Sequence, residues 1–129
     1  MATDRRTVHI DAAADAVWAL VRDAGAVAVW FPSIKSCSVT GNQRTCVLQS
    51  GSKVVEEIVV MDDRMRRLQY RILRGIAVES HLGTIEVVED DVAGCTVVYT
   101  TEVMPDDLAP ALGGSVERAL SSLRDAVSR

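Results

Sequence analysis

The stretch Leu108-Ala109-Pro110-Ala111-Leu112-Gly113-Gly114-Ser115-Val116-Glu117-Arg118-Ala119-Leu120-Ser121-Ser122-Leu123-Arg124-Asp125-Ala126-Val127 decides the fold. Leu108, Leu112, Val116, Leu120, Leu123 and Val127 recur at steps of three or four, the period of one apolar helix face. Pro110 lacks an amide hydrogen and is tolerated only in a first turn, so the helix is expected to begin near Asp106 or Asp107. Gly113-Gly114 costs about 1 kcal/mol per glycine relative to alanine in a helix interior. The pair therefore predicts either a kink or a close approach to something bulky.

Upstream, over residues 34–103, that period is absent. Six β-type runs replace it, near Ile34 to Thr40, Arg44 to Gln49, Lys53 to Met61, Arg66 to Leu73, Val78 to Glu89 and Cys95 to Val103. Turn residues divide them at Gly41-Asn42, Gly51-Ser52, Asp62-Asp63, Gly75 and Asp90-Asp91 with Gly94. Short turns between neighbouring strands imply an antiparallel meander.

Before the meander, Thr7 to Ile10 reads as a strand. Asp11 then offers a cap to a short helix carrying Val17, Leu20 and Val21, and Gly25 ends it. A second short turn over Ala26 to Trp30 is stopped at Phe31-Pro32. The order is thus strand, two short helices, six strands and one long helix: an α+β domain spanning residues 1–129. A seven-stranded antiparallel sheet is wider than the single helix that covers it. It must curve around that helix, and curvature of this kind leaves internal volume.

Composition narrows the function classes. Of 129 residues 48% are hydrophobic and 25% charged, enough for a sizeable core. A net charge of −4 and a pI near 5.1 provide no basic field, and Arg64, Arg66 and Arg67 form no stripe, which argues against nucleic acid. Cys37, Cys46 and Cys95 are an odd set without short Cys/His spacing, so neither a disulfide framework nor a metal site is expected. With no apolar leader behind Met1 and no run long enough to span a membrane, a reducing cytoplasm is the expected location. No motif for a nucleophilic triad, a P-loop or a dinucleotide fold is present, and no cofactor is expected.

Several local stretches resemble the START-like, or SRPBCC, superfamily, which includes polyketide cyclase/dehydrase-type proteins and the plant abscisic acid receptors. Ile10-Asp11-Ala12 with Ala16-Val17-Trp18 is similar to its opening helix, and Trp30-Phe31-Pro32-Ser33-Ile34 to its following turn. Ile34-Lys35-Ser36-Cys37-Ser38-Val39 is similar to the second strand of the plant receptors. Glu56 ahead of Asp62-Asp63, Tyr70 beyond it, and Thr96-Val97-Val98 follow the same pattern. The resemblance implies a helix-grip fold: a seven-stranded curved antiparallel sheet wrapped around a long C-terminal helix, with two short helices after strand one. Two receptor features are missing. The Ser50-Gly51-Ser52 turn is shorter than the receptors' gate, and Ile76-Ala77-Val78-Glu79 stands in place of their latch.

Carried over by position, the resemblance implies a ligand site made of Lys35, Leu48, Glu56, Ile58, Tyr70, His81, Gly83 and Thr100 on the sheet, with Ala111, Ser115 and Ala119 on the helix. Lys35 would pair with Glu56 or a ligand carboxylate, because a buried ammonium needs an anion. His81 could exchange a proton near neutral pH, and Tyr70 joins an apolar ring to a polar tip. Trp18 and Trp30 read as packing.

Three functions share this scaffold. The first is binding of a small hydrophobic molecule, such as a lipid, polyketide or aromatic acid. The second is a polyketide cyclase or dehydratase, with Lys35, Glu56 and His81 as candidate catalytic residues. The third is a ligand-free interaction module with a filled interior. A homodimer is compatible with each of them.

Overall fold

Cys95, Val97, Tyr99, Thr101 and Val103 are each at most 2% exposed, while the residues between them are only partly buried. This is the two-residue period of a strand with one face on a core. The computed structural model describes residues 1–91 and 93–128. Its chain runs β1 (Ala2–Ile10), α1 (Ala14–Val21), a 3-10 turn (Ala24–Ala26), α2 (Val27–Trp30), β2 (Ile34–Thr40), β3 (Gln43–Leu48), β4 (Lys53–Asp62), β5 (Arg67–Arg74), β6 (Ser80–Glu89), β7 (Cys95–Met104), a second 3-10 turn (Asp106–Leu108) and α3 (Ala109–Val127).

The strands form one antiparallel sheet in the order β1-β7-β6-β5-β4-β3-β2. β2 to β7 make the meander that the turn residues predict, and β1 returns beside β7. The long helix lies against β1 and β7, with α2 alongside. This is the helix-grip α+β arrangement. β1 begins at Ala2 rather than Thr7. Ala2-Thr3-Asp4-Arg5-Arg6 lacks apolar alternation, yet β7 pairs with each of these residues, from Val103 to Tyr99. The ladder of an adjacent strand has overridden weak local propensity.

Ile10, Val17, Val97, Ala119 and Leu123 are fully buried where sheet, α1 and α3 meet. Each large aliphatic side chain sealed there contributes about 1.5–3 kcal/mol over its exposed state. α1 is tied to the β4–β5 turn by Asp63, whose Oδ1 accepts from Trp18 Nε1 at 2.9 Å and from Arg22 Nε at 2.7 Å.

α3 starts one 3-10 turn later than expected and holds Pro110 in its first turn. The two glycines prove unequal, and the helix continues through both. A Cβ on Gly113 would lie 2.3 Å from Asp4 Oδ2, so this residue leaves room for the Asp4 carboxylate of β1 against the helix. Gly114 meets nothing nearer than the Arg118 guanidinium at 3.7 Å.

Candidate functional site

A chamber of about 160 Å³ lies between the inner face of β2–β7, α2 and the first half of α3. Its apolar walls come from Val27, Phe31, Ile34, Cys46, Leu48, Val54, Ile72, Ile76, Leu112 and Val116. Ser33, Leu48, Ile76, Leu112 and Ser115 are only partly buried and make the rim, whereas Arg44, Glu56, Tyr70, Tyr99 and Thr101 are buried and make the floor.

Two polar pairs occupy that floor. Arg44 and Glu56 stand directly opposite each other on β3 and β4, so their side chains leave the sheet on one face. Arg44 Nε donates to Glu56 Oε1 at 2.8 Å, and Nη2 approaches the same oxygen at 2.7 Å. The third guanidinium nitrogen, Nη1, donates to the Ala24 carbonyl at 3.2 Å, and the planar group sits 5.3 Å from the Tyr70 ring centroid. Burial raises the Glu56 carboxyl above its ordinary range against the opposing pull of Arg44. The second pair is Tyr70 and Tyr99, whose hydroxyls share a short hydrogen bond and whose rings meet edge to face at 6.4 Å. Burial raises both phenols, so both stay protonated at neutral pH.

His81 stands at a break in the sheet. The β5–β6 ladder ends at the Tyr70–Gly83 pair, and beyond it the Ile72 amide donates to His81 Nδ1 at 3.1 Å. An acceptor at Nδ1 fixes the neutral tautomer with its proton on Nε2. Burial lowers the imidazole from 6.5 to about 4, so this ring is a neutral donor at physiological pH.

Of the residues expected at the site, Leu48, Glu56, Tyr70, His81 and Ser115 come together around the chamber. Gly83 lies beneath Tyr70, where a Cβ would stand 2.4 Å from the ring. Ile58 and Ala119 belong to the surrounding packing rather than the lining. Three expectations need correction. Lys35 is exposed: β2 pairs Ile34 with Leu48 and Ser36 with Val47, leaving Lys35 as the extra residue of a bulge and turning it outward. Thr100 is on the outer sheet face, one residue out of phase with Tyr99 and Thr101. Ala111 is exposed, roughly 120° around the helix from Leu123 at about 100° per residue.

Arg44, Tyr99 and Thr101 are buried polar lining groups absent from the expected set, which also lacked apolar lining residues such as Cys46, Ile72 and Val116. The signal was present: stepping back by two from Leu48 gives Cys46 and Arg44 on the same face. The cysteine reading also changes. Cys37 and Cys46 are register partners on β2 and β3 with Cα atoms 4.2 Å apart, and they form a disulfide; Cys95 is free and buried. The cysteine set therefore no longer argues for a reducing compartment. No helix among the described residues is long and apolar enough to cross a membrane. Among those residues, no cluster of His, Cys, Asp or Glu is placed to hold a metal ion.

Known proteins with this architecture are numerous. The chain resembles the protein XoxI from Bacillus cereus at a TM-score of 0.92 and 24% identity, over 98% of this chain and 96% of the other. A protein from Thermobifida fusca, solved by solution NMR, is 31% identical at a TM-score of 0.84, covering 100% and 95%. Norcoclaurine synthase from Thalictrum flavum, solved in complex with dopamine and hydroxybenzaldehyde, shares the fold at a TM-score of 0.76 and 16% identity, over 98% and 86%. No curated protein matches the sequence. Residues 1–128 match the family described as polyketide cyclase / dehydrase and lipid transport, and the chain belongs to that family.

Proposed function

We propose that this protein binds a small, mostly apolar molecule in the chamber between sheet and C-terminal helix. The observation that carries the reading is the contrast between the walls and the floor. Aliphatic side chains surround the volume, and the polar groups beneath it are few, buried and held by one another. Ligand sites are built in this way, with an apolar lining for affinity and a few placed polar groups for orientation. Family membership supports the same reading. A chamber of about 160 Å³ exceeds what a single water needs, which counts against an interior filled by its own side chains.

Native mass spectrometry of protein purified gently from its source, together with thermal-shift screening, tests this function. A bound small molecule or a ligand-dependent rise in unfolding temperature is expected. An empty protein with no shift across lipids, polyketides and small aromatics would refute it.

A catalytic reading has one specific support: the neutral His81 donor and the Glu56 carboxylate line the same small volume. In that reading the pocket folds a reactive β-ketone chain, and the two groups polarise a carbonyl and move a proton. Turnover of a poly-β-ketone surrogate that disappears in Glu56→Gln and His81→Ala would support it. Turnover retained in both would remove these residues as catalysts.

A further inference from the structure

We infer that the chamber selects an uncharged, single-ring molecule carrying a carbonyl-type acceptor, and discriminates against carboxylates and long chains. The inference rests on the chamber being a ligand site, and it follows from size, charge and hydrogen-bond inventory taken together.

Size sets the first limit. A cavity of about 150 Å³ accommodates benzene, whereas pockets for drug-sized ligands begin at about 300 Å³. At about 160 Å³ this chamber holds one ring with a small substituent. A second fused ring or an extended acyl chain would have to displace the walls, which close-packed interiors resist, or protrude through the rim and leave its apolar surface in water.

Charge sets the second. Among the described residues Arg44 is the only cation on the lining, and each of its three nitrogens already has an acceptor, Nε and Nη2 on Glu56 Oε1 and Nη1 on the Ala24 carbonyl, so its two spare N–H groups lie beside the Glu56 carboxylate. A ligand carboxylate would have to take Arg44 from Glu56 and leave that carboxylate buried without a partner, or else lie beside it as a like charge. Lys35, the other cation considered for this role, is outside the chamber.

The hydrogen-bond inventory sets the third. His81 lines the chamber, and its Nε2–H makes no hydrogen bond to any described residue, since Nδ1 holds the Ile72 amide. It is a donor left for a ligand acceptor, and the Glu56 carboxylate nearby favours a neutral one. Both contacts between Arg44 and Glu56 fall on Oε1, and Oε2 accepts from no described residue, so it can receive a ligand hydroxyl. Of the Tyr70 and Tyr99 hydroxyls one donates to the other, so the accepting phenol keeps an O–H of its own at the floor, a second donor beside His81. A ring with a carbonyl at one end and a hydroxyl at the other matches this set, since a site built to hydrogen-bond a group rejects the analogue lacking it.

Three near-isosteric probes and one larger one separate these claims by isothermal titration calorimetry on the unmodified protein at neutral pH. 4-Hydroxyacetophenone is expected to bind. 4-Hydroxybenzoate, of the same shape but anionic, should bind at least about tenfold more weakly, and 4-ethylphenol, which lacks the carbonyl, weaker by a similar factor. 6-Acetyl-2-naphthol, with a second ring, should not bind measurably. Equal or tighter binding of the benzoate would overturn the charge argument. Equal binding of the ethylphenol would remove His81 as the selecting donor, and equal binding of the naphthol would remove the size limit. If decanoate or decanol binds and all four probes fail, this inference is wrong while the ligand-binding function stands. If neither these nor any screened molecule binds, the function itself fails.

Discussion

Replacing Arg44 by methionine should be among the most costly single changes in this protein, and the reason is specific. Arg44 and Glu56 have side chains only 5% and 10% exposed, and one carboxylate oxygen receives both of their close contacts. Removing one partner of such a pair leaves the other buried and uncompensated, which costs about 3–5 kcal/mol. For a domain of this length each kcal/mol corresponds to about 4 °C, so Arg44→Met should lower the unfolding midpoint by about 12–20 °C. Glu56→Leu should fall in the same range. The double variant should recover most of the loss, because an apolar pair of similar volume is often as stable as a buried ion pair. The coupling also depends on pH. In Arg44→Met the Glu56 carboxyl keeps the burial that raises it above its ordinary 4.5 and loses the arginine that opposes this. The folded state then binds more protons than the unfolded one, so stability falls as pH rises above 4.5 and the deficit narrows on acidification. Urea denaturation of the four proteins at pH 4.5 and 8 measures both effects. Single variants that each cost under about 1 kcal/mol, or effects that simply add, would mean that water reaches the pair through the chamber and that the floor is not sealed.

The two histidines should titrate on opposite sides of 6.5 in NMR spectra: His81 near 4, and His9 above 6.5 because Asp11 and Asp90 hydrogen-bond its ring. For His81 the unfolded state takes up the proton first, so its share of stability is lost as pH falls from 6.5 toward 4; a normal value would show that the imidazole is solvated. Gly113→Ala should destabilise by about 1 kcal/mol despite the better helix former, whereas in an Asp4→Ala background it should stabilise by a similar amount. Thermal unfolding of the two pairs decides this, and gains in both backgrounds would refute the close approach. Reducing the Cys37–Cys46 bond, which spans nine residues, should cost at most about 3 kcal/mol, and less because the hairpin already closes that loop. Equal urea midpoints with and without dithiothreitol would show that the hairpin alone holds the edge.

Much of the architecture was legible because it rests on periods that extend over many residues. The step of three or four from Leu108 to Val127 and the punctuation at Gly41, Gly51 and Gly75 survive small errors of phase. A site does not survive them. Thr100 and Tyr99 differ by one residue and point to opposite faces, and only the apolar character of Val97 and Val103 tells which set is inward. Lys35 fails for a different reason: a bulge is a local exception to alternation, and no residue in Ile34-Lys35-Ser36 marks it. The Cys37–Cys46 bond and the break at His81 depend on register between strands, a relation between segments rather than a property of either one.

The seat of the helix's C-terminal half and the far wall of the chamber occupy different parts of the inner surface. α3 rests on β1 and β7 and packs there through Leu120 and Leu123, whereas Arg44, Cys46, Leu48, Val54, Glu56 and Ile72 belong to β3, β4 and β5. The residues that seat the C-terminal half of the helix are thus largely distinct from those that form the far wall of the hollow. Substitutions at Leu48, Val54 and Ile72 on the three distant strands can recut the hollow for another molecule while the helix keeps its anchorage and the Arg44–Glu56 pair stays intact, so relatives of this chain can diverge in what they hold without rebuilding what holds them together.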